Sequence, residues 1–230
     1  MNQGVYIGAR ALERERPILL LGESHPAERD GAEKGEPVSF STEGVVRDWC
    51  LSTDRSGRLR FFENILLAFG FDPKKQNERE RFWASVCFGN FVPLFCGTGD
   101  DTARRLIREE KNRTAFNDAL FSFVNEHGIS ELYCFSRLVY NSLPVSVGRS
   151  MRERERMEGW NCLNTGGRRD WISHWRYLPG MEHRHSSVIL ERELNVYGLR
   201  HPASRCGFAP EHYSPVLNAL WAREGDAENC

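Results

Sequence analysis

Short apolar runs that end in polar residues, separated by stretches with helical periodicity, limit this chain to few architectures. The runs are Pro17–Leu21, Val86–Val92, Ile129–Phe135 and Leu194–Leu199. The first shows almost no alternation of apolar and polar residues, as expected of a parallel strand covered on both faces. Between the runs lie helix signals. Thr42 or Ser41 can cap a helix to about Leu51, and Ser56 can cap one carrying Phe61, Phe62, Ile65, Leu66 and Phe69, stopped by Gly70. Glu78–Ser85 reads as a helix feeding the second strand. Thr114 can cap a helix with Phe116, Leu120, Phe123 and Val124 on one face, closed by Gly128. Arg137–Ser142 reads as a short helix, and Ser214-Pro215 as the start of a last one bearing Val216, Leu217, Leu220 and Trp221. Strand and helix in alternation predict a three-layer α/β/α fold with a central four-stranded parallel sheet.

At 230 residues the chain suits a single domain. The stretch from about 145 to 187 breaks the rhythm. Trp160, Gly166-Gly167, Trp171 and Trp175 give it the character of an ordered insertion. It holds eight arginines against five acids, a local positive excess in a chain whose net charge is −1. A local patch is sufficient for phosphate contacts, so near-neutral overall charge does not exclude DNA. Arg168 and Arg169 are the candidate DNA contacts there, although Glu and Arg alternating over Arg152–Glu158 also fit a solvated face.

No apolar run approaches the ~20 residues of a membrane span, and Met1–Arg16 is polar and charged without a signal-peptide core. The expectation is a cytoplasmic protein with no membrane partner. The seven cysteines (Cys50, Cys87, Cys96, Cys134, Cys162, Cys206 and Cys230) include no C-x-x-C pair. Neither a disulfide framework nor a four-thiolate metal site is expected.

In an open α/β sheet the tips of parallel strands meet where ligands bind. Here the tips are Gly22-Glu23-Ser24-His25-Pro26, Gly89-Asn90-Phe91-Val92-Pro93 and His201-Pro202-Ala203-Ser204-Arg205. An acid, an amide and an imidazole then share one crevice. These three segments, in this order and spacing, resemble the motifs of the uracil-DNA glycosylase superfamily. The first is similar to the G-E-A-P-G form of that family's leading motif, the second to its strand-end Asn stretch, and the third to its H-P-[SA]-x motif. Glu131–Pro144 resembles the intervening strand and helix.

The resemblance implies a uracil-DNA glycosylase-like fold and a monofunctional DNA N-glycosylase without a cofactor or metal. Cleaving an N-glycosidic bond leaves positive charge on the sugar and negative charge on the departing base. A carboxylate near the sugar and a donor at the base oxygen answer those charges. The resemblance gives the first role to Glu23 and the second to His201. It places Asn90 on the pairing edge of an extruded base. An amide both donates and accepts, so Asn90 fits uracil or, flipped, cytosine. Ser24 and His25 also fall at the base, Phe40 is a candidate to stack on it, and Ser204 and Arg205 are candidates to contact flanking DNA. No lysine stands in the tips, so a Schiff-base lyase step is not indicated.

Departures from the family narrow the reading. Its uracil-specific branch has Asp at the position of Ser24 and Tyr at that of Pro26, and the Tyr closes the pocket against substituents on the base C5 atom. His25 replaces the family's Pro. The branch nearest in the first motif carries an iron–sulfur cluster on four cysteines, whose spacing is absent here. An open C5 side and the 145–187 segment favour a C5-modified pyrimidine, such as the glucosylated hydroxymethylcytosine of phage DNA, excised as antiviral defence. Plain uracil repair is the alternative, and a non-catalytic DNA- or nucleotide-binding module a third. A Ser or Cys hydrolase is disfavoured because adjacent Ser24 and His25 point apart on a strand. The expected partner is DNA, acted on by a monomer.

Overall fold

A computed structural model describes residues 4–25, 42–51, 60–96, 102–146, 164–165, 168–169, 172–203 and 208–222. Its strands are β1 (Tyr6–Ile7), β2 (Ile18–His25), β3 (Cys87–Phe95), β4 (Glu131–Cys134), β5 (Val145–Ser146), β6 (Asn164–Thr165), β7 (Arg168–Arg169), β8 (Ile172–Tyr177), β9 (His183–Arg184) and β10 (Leu194–Leu199). The helices are α1 (Thr42–Val45), which runs into a π-helical turn at Val46–Leu51, then α2 (Arg60–Ala68), α3 (Gln76–Ala84), α4 (Thr102–Arg108), α5 (Glu110–His127), α6 (Arg137–Ser142) and α7 (Pro210–Ala222).

The main sheet has six strands in the order β1-β3-β2-β4-β10-β8. Its middle is the expected set of four, all mutually parallel. The whole is nevertheless a mixed sheet rather than a four-stranded parallel one, because β1 and β8 close its two edges antiparallel. Tyr6–Ile7 is too short to leave a pattern in the sequence. β8 lies inside the 145–187 stretch, which therefore supplies an edge strand to the sheet. β5–β9 and β6–β7 form two separate two-stranded pairs.

Period-two alternation divides the strand residues between two cores. Ile18, Leu20, Phe88, Tyr133, Tyr197 and Leu199 face one side, packed with Phe62 and Ile65 of α2, Phe69 just after it, Phe82 and Trp83 of α3, and Leu217 and Leu220 of α7. Leu19, Leu21, Cys87, Phe91, Leu132, Cys134 and Val196 face the other, against Ile107 of α4, Phe121 and Val124 of α5, and Val139 and Tyr140 of α6. The first core is an aromatic lattice. Phe82 stacks on Trp221 at 5.4 Å between centroids and meets Trp83 edge-on at 5.2 Å. Such pairs contribute ~0.5–1.5 kcal/mol each beyond the area they bury.

Several helix limits differ from the sequence reading. α5 begins at Glu110, one turn before Thr114, since nothing in Glu109–Arg113 interrupts a helix. It ends as expected at Gly128, whose φ of 61° suits a residue without Cβ. The Ile129 N–H donates to the Val124 carbonyl at 3.0 Å and closes the last turn. α7 starts at Pro210, not Ser214, and carries Pro215 in its interior. Pro210 takes the first helical position, where a missing N–H costs nothing. α4, with Ala103 and Ile107 as its buried residues, was not legible in the sequence. At the amino ends of the strands, buried Glu131 accepts from the Tyr133 hydroxyl at 2.6 Å and pairs with Arg16 at 2.6 Å. That network ties the chain before β2 to β4. Among the described residues no helix is long and apolar enough to cross a membrane.

Candidate active site

The chain leaves β2 to build β3 on one side and returns to build β4 and β10 on the other. The order reverses between β2 and β4, and in open α/β sheets ligands bind outside the carboxyl ends of the strands at such a point. Glu23 stands near that end of β2. The Ser136 hydroxyl, just after β4, donates to Glu23 Oε2 at 2.7 Å and bridges the switch point. Ser136 also caps α6, accepting from the Val139 N–H at 3.4 Å. One hydroxyl therefore fixes both the carboxylate and the helix behind it.

Gly22 and Ser24 alternate with Glu23 and face α2. In the parallel ladder Gly22 is directly opposite Asn90 on β3. A Cβ at position 22 would collide with Asn90 Oδ1 and would lie 3.6 Å from Phe61 Cζ. The glycine is what lets the Asn90 amide lie against β2, with the Phe61 ring beyond it. Asn90 is buried and Phe61 half-buried.

His201 follows β10 and is half-buried. Its ring packs on Phe61 at 5.1 Å between centroids. The Ala203 N–H donates to His201 Nδ1 at 3.2 Å. A backbone N–H can only donate, so Nδ1 is the acceptor and the neutral ring carries its proton on Nε2. Burial pushes the His201 pKa below the ordinary histidine value, and the Glu23 carboxylate pulls weakly the other way. The ring is neutral at pH 7 and offers one N–H. The turn behind it is held by Asn64 of α2, whose Nδ2 donates to the Pro202 carbonyl at 2.7 Å.

Of the residues singled out in the sequence, Glu23 and Ser24 lie near the carboxyl end of β2, His201 lies just beyond β10, and Asn90 lies within β3, opposite Gly22. The backbone of His25 pairs with Phe95 after a bulge that separates it from Ser24. Arg168 and Arg169 form β7, opposite Thr165 and Asn164. Phe40, Ser204, Arg205 and Pro26 lie outside the described residues. Three side chains of the site escaped the sequence reading: Phe61, Asn64 and Ser136. In the sequence Phe61 is one of several apolar residues of its helix, with nothing to set it apart. Asn64 was detectable as a polar residue within the apolar stripe of α2, and Ser136 only as a helix cap.

The thiols of Cys50, Cys87 and Cys134 are buried, and burial pushes their pKa values up. None is an activated nucleophile. Among the described residues no cluster of three or more His, Cys, Asp or Glu side chains is placed to hold a metal ion. No known protein-family model matches the chain, and no curated protein has a significantly similar sequence.

Proposed function

We propose that this protein is a monofunctional DNA N-glycosylase of the uracil-DNA glycosylase type, acting on a pyrimidine flipped out of DNA. The observation that carries the reading is the set of groups around one switch point. A carboxylate near the end of β2, an amide on the neighbouring β3 opposite Gly22, and a neutral imidazole with its proton on Nε2 just beyond β10 are carried by three parallel strands. The Ser136 hydroxyl holds the carboxylate, and the Ala203 N–H holds the imidazole.

The roles follow from the charges of the reaction. Asn90 matches the donor and acceptor on the pairing edge of the base and holds it against the end of β2. As the C1′–N bond breaks, its electron pair goes to the base, and the Nε2–H of His201 donates to the anionic base oxygen. Glu23 faces the developing sugar cation through the oxygen that Ser136 leaves free. It orients a water, whose oxygen bonds to C1′ and whose proton passes to the carboxylate. The products are the free base and an abasic site.

The substrate we propose is a C5-modified pyrimidine. Pro26 in place of a bulky Tyr, together with the arginine-rich 145–187 segment, supports it. The test is mass spectrometry of bases released from duplex and single-stranded DNA. The panel contains uracil, hydroxymethyluracil, hydroxymethylcytosine, glucosylated hydroxymethylcytosine, cytosine and thymine. Release of a C5-substituted base that disappears in Glu23→Gln and falls in His201→Ala is the expected result. Release of uracil with refusal of every C5-substituted base reassigns the protein to uracil repair. Binding of DNA without release of any base refutes catalysis and leaves a binding module.

A further inference from the structure

We propose that α2 is a positioning device for His201, with Asn64 and Phe61 acting together to fix the direction of its Nε2–H. The inference rests on the reading of His201 as the donor to the departing base. It adds two residues to which neither the motifs nor the reaction chemistry assigns a role.

The two residues are three apart on a helix and therefore share one face. Each holds a different part of the same turn. Asn64 is buried, and its amide donates to the carbonyl of Pro202, the residue after His201. Phe61 packs its ring against the imidazole itself. The third restraint is local, the Ala203 N–H on Nδ1. With the backbone fixed on one side of the ring and Phe61 against it, the imidazole keeps one orientation and one tautomer.

The same helix reaches the base-reading amide. Phe61 lies next to the space that Gly22 leaves for Asn90. α2 itself is anchored deep in the core through Ile65 and Ala68. The imidazole is thus referenced to a rigid element and not to the loop that carries it. That matters for chemistry, because a donor displaced by ~1 Å from a developing charge loses about a hundredfold in rate.

Asn64→Asp tests the idea with little change of shape. It replaces the donor facing the Pro202 carbonyl with an acceptor. Phe61→Leu removes the ring and leaves the polar contact intact, so one variant is informative should the other fold poorly. The primary readout is the imidazole nitrogen spectrum of 15N-histidine-labelled protein without DNA, with the His201 signals assigned by their loss in His201→Ala. In the wild type His201 shows a single Nε2–H tautomer. In each variant the two tautomers average, and kcat for base release falls by about a hundredfold with KM little changed. Unaltered His201 nitrogen shifts in both folded variants overturn the proposal, whatever the activity. A wild-type protein that releases no base refutes the glycosylase reading, while the nitrogen spectra still decide whether α2 orients His201.

Discussion

Replacing Gly22 with alanine separates the fold from the chemistry at this site. The added methyl meets the tip of the Asn90 side chain, with Phe61 Cζ at 3.6 Å behind it. The tip of a side chain can swing away, so the strand is preserved and the amide is displaced. Overpacking costs about 1–3 kcal/mol, and the less flexible unfolded chain returns about 0.4–1 kcal/mol. The net loss is roughly 0–2.5 kcal/mol, which lowers the melting temperature by less than about 10 °C in a domain of this size. Activity loses more. A bidentate contact to a base is worth about 1–3 kcal/mol, so kcat/KM for base release falls about 5- to 150-fold.

Gly8→Ala is the contrasting control. Its Cβ would lie 2.6 Å from the backbone carbonyl carbon of Ala84, which has no rotamer to change, so that variant loses stability first. Thermal melting and single-turnover base release on each variant give both quantities. If Asn90 reads the base, Gly22→Ala combined with Asn90→Ala is no slower than Asn90→Ala alone. A Gly22→Ala protein that releases base at the wild-type rate with unchanged selectivity refutes the assignment of Asn90.

Ser136→Ala removes the donor to Glu23 and the cap of α6 together. It lowers stability by about 0.5–2 kcal/mol and reduces kcat, and Ser136→Thr restores both; an unchanged kcat in the alanine variant detaches Ser136 from the reaction. Burial depresses the pKa values of His183, His185 and His201 below the ordinary 6.5. The unfolded chain therefore binds protons first as pH falls, so the contribution of these histidines is constant above about 6.5 and is lost below it until the folded-state values are passed; a denaturation midpoint that rises as pH falls from 7 to 5.5 contradicts this. Replacing Arg168 and Arg169 with alanine weakens DNA binding and reduces the slope of log affinity against log salt by about 1.8, whereas an unaltered slope confines that hairpin to a structural role.

The four parallel strands and the two-faced core were legible because apolar runs without alternation have few other uses. Leu194–Leu199 emerged with the limits its sequence implies. The Gly128 stop was equally readable, since it depends on one local backbone conformation. The edges of the sheet were not. β1 is held by pairing with β3 rather than by any pattern of its own. β8 became a strand because β10 offered it an unpaired edge, and the tryptophans around it masked its alternation.

The same division runs through the site. Glu23, Asn90 and His201 drew attention because polar residues follow apolar runs there, although β3 continues past Asn90 to Phe95. Their surroundings did not, because the side chains that hold the carboxylate and the turn of His201 are distant in sequence. Ser136 reaches Glu23 across 113 positions and Asn64 reaches Pro202 across 138. The sequence by itself determined which groups are available and that they lie on strands of an α/β protein, since local periodicity and residue chemistry decide both, whereas the mixed character of the sheet came only with pairing. Only the tertiary structure decided that a serine holds the carboxylate, that a glycine makes room for the amide, and that the imidazole keeps its proton on Nε2. The first two are contacts between residues remote in the chain that exist only once the strands are paired, and the third depends on the turn that follows β10.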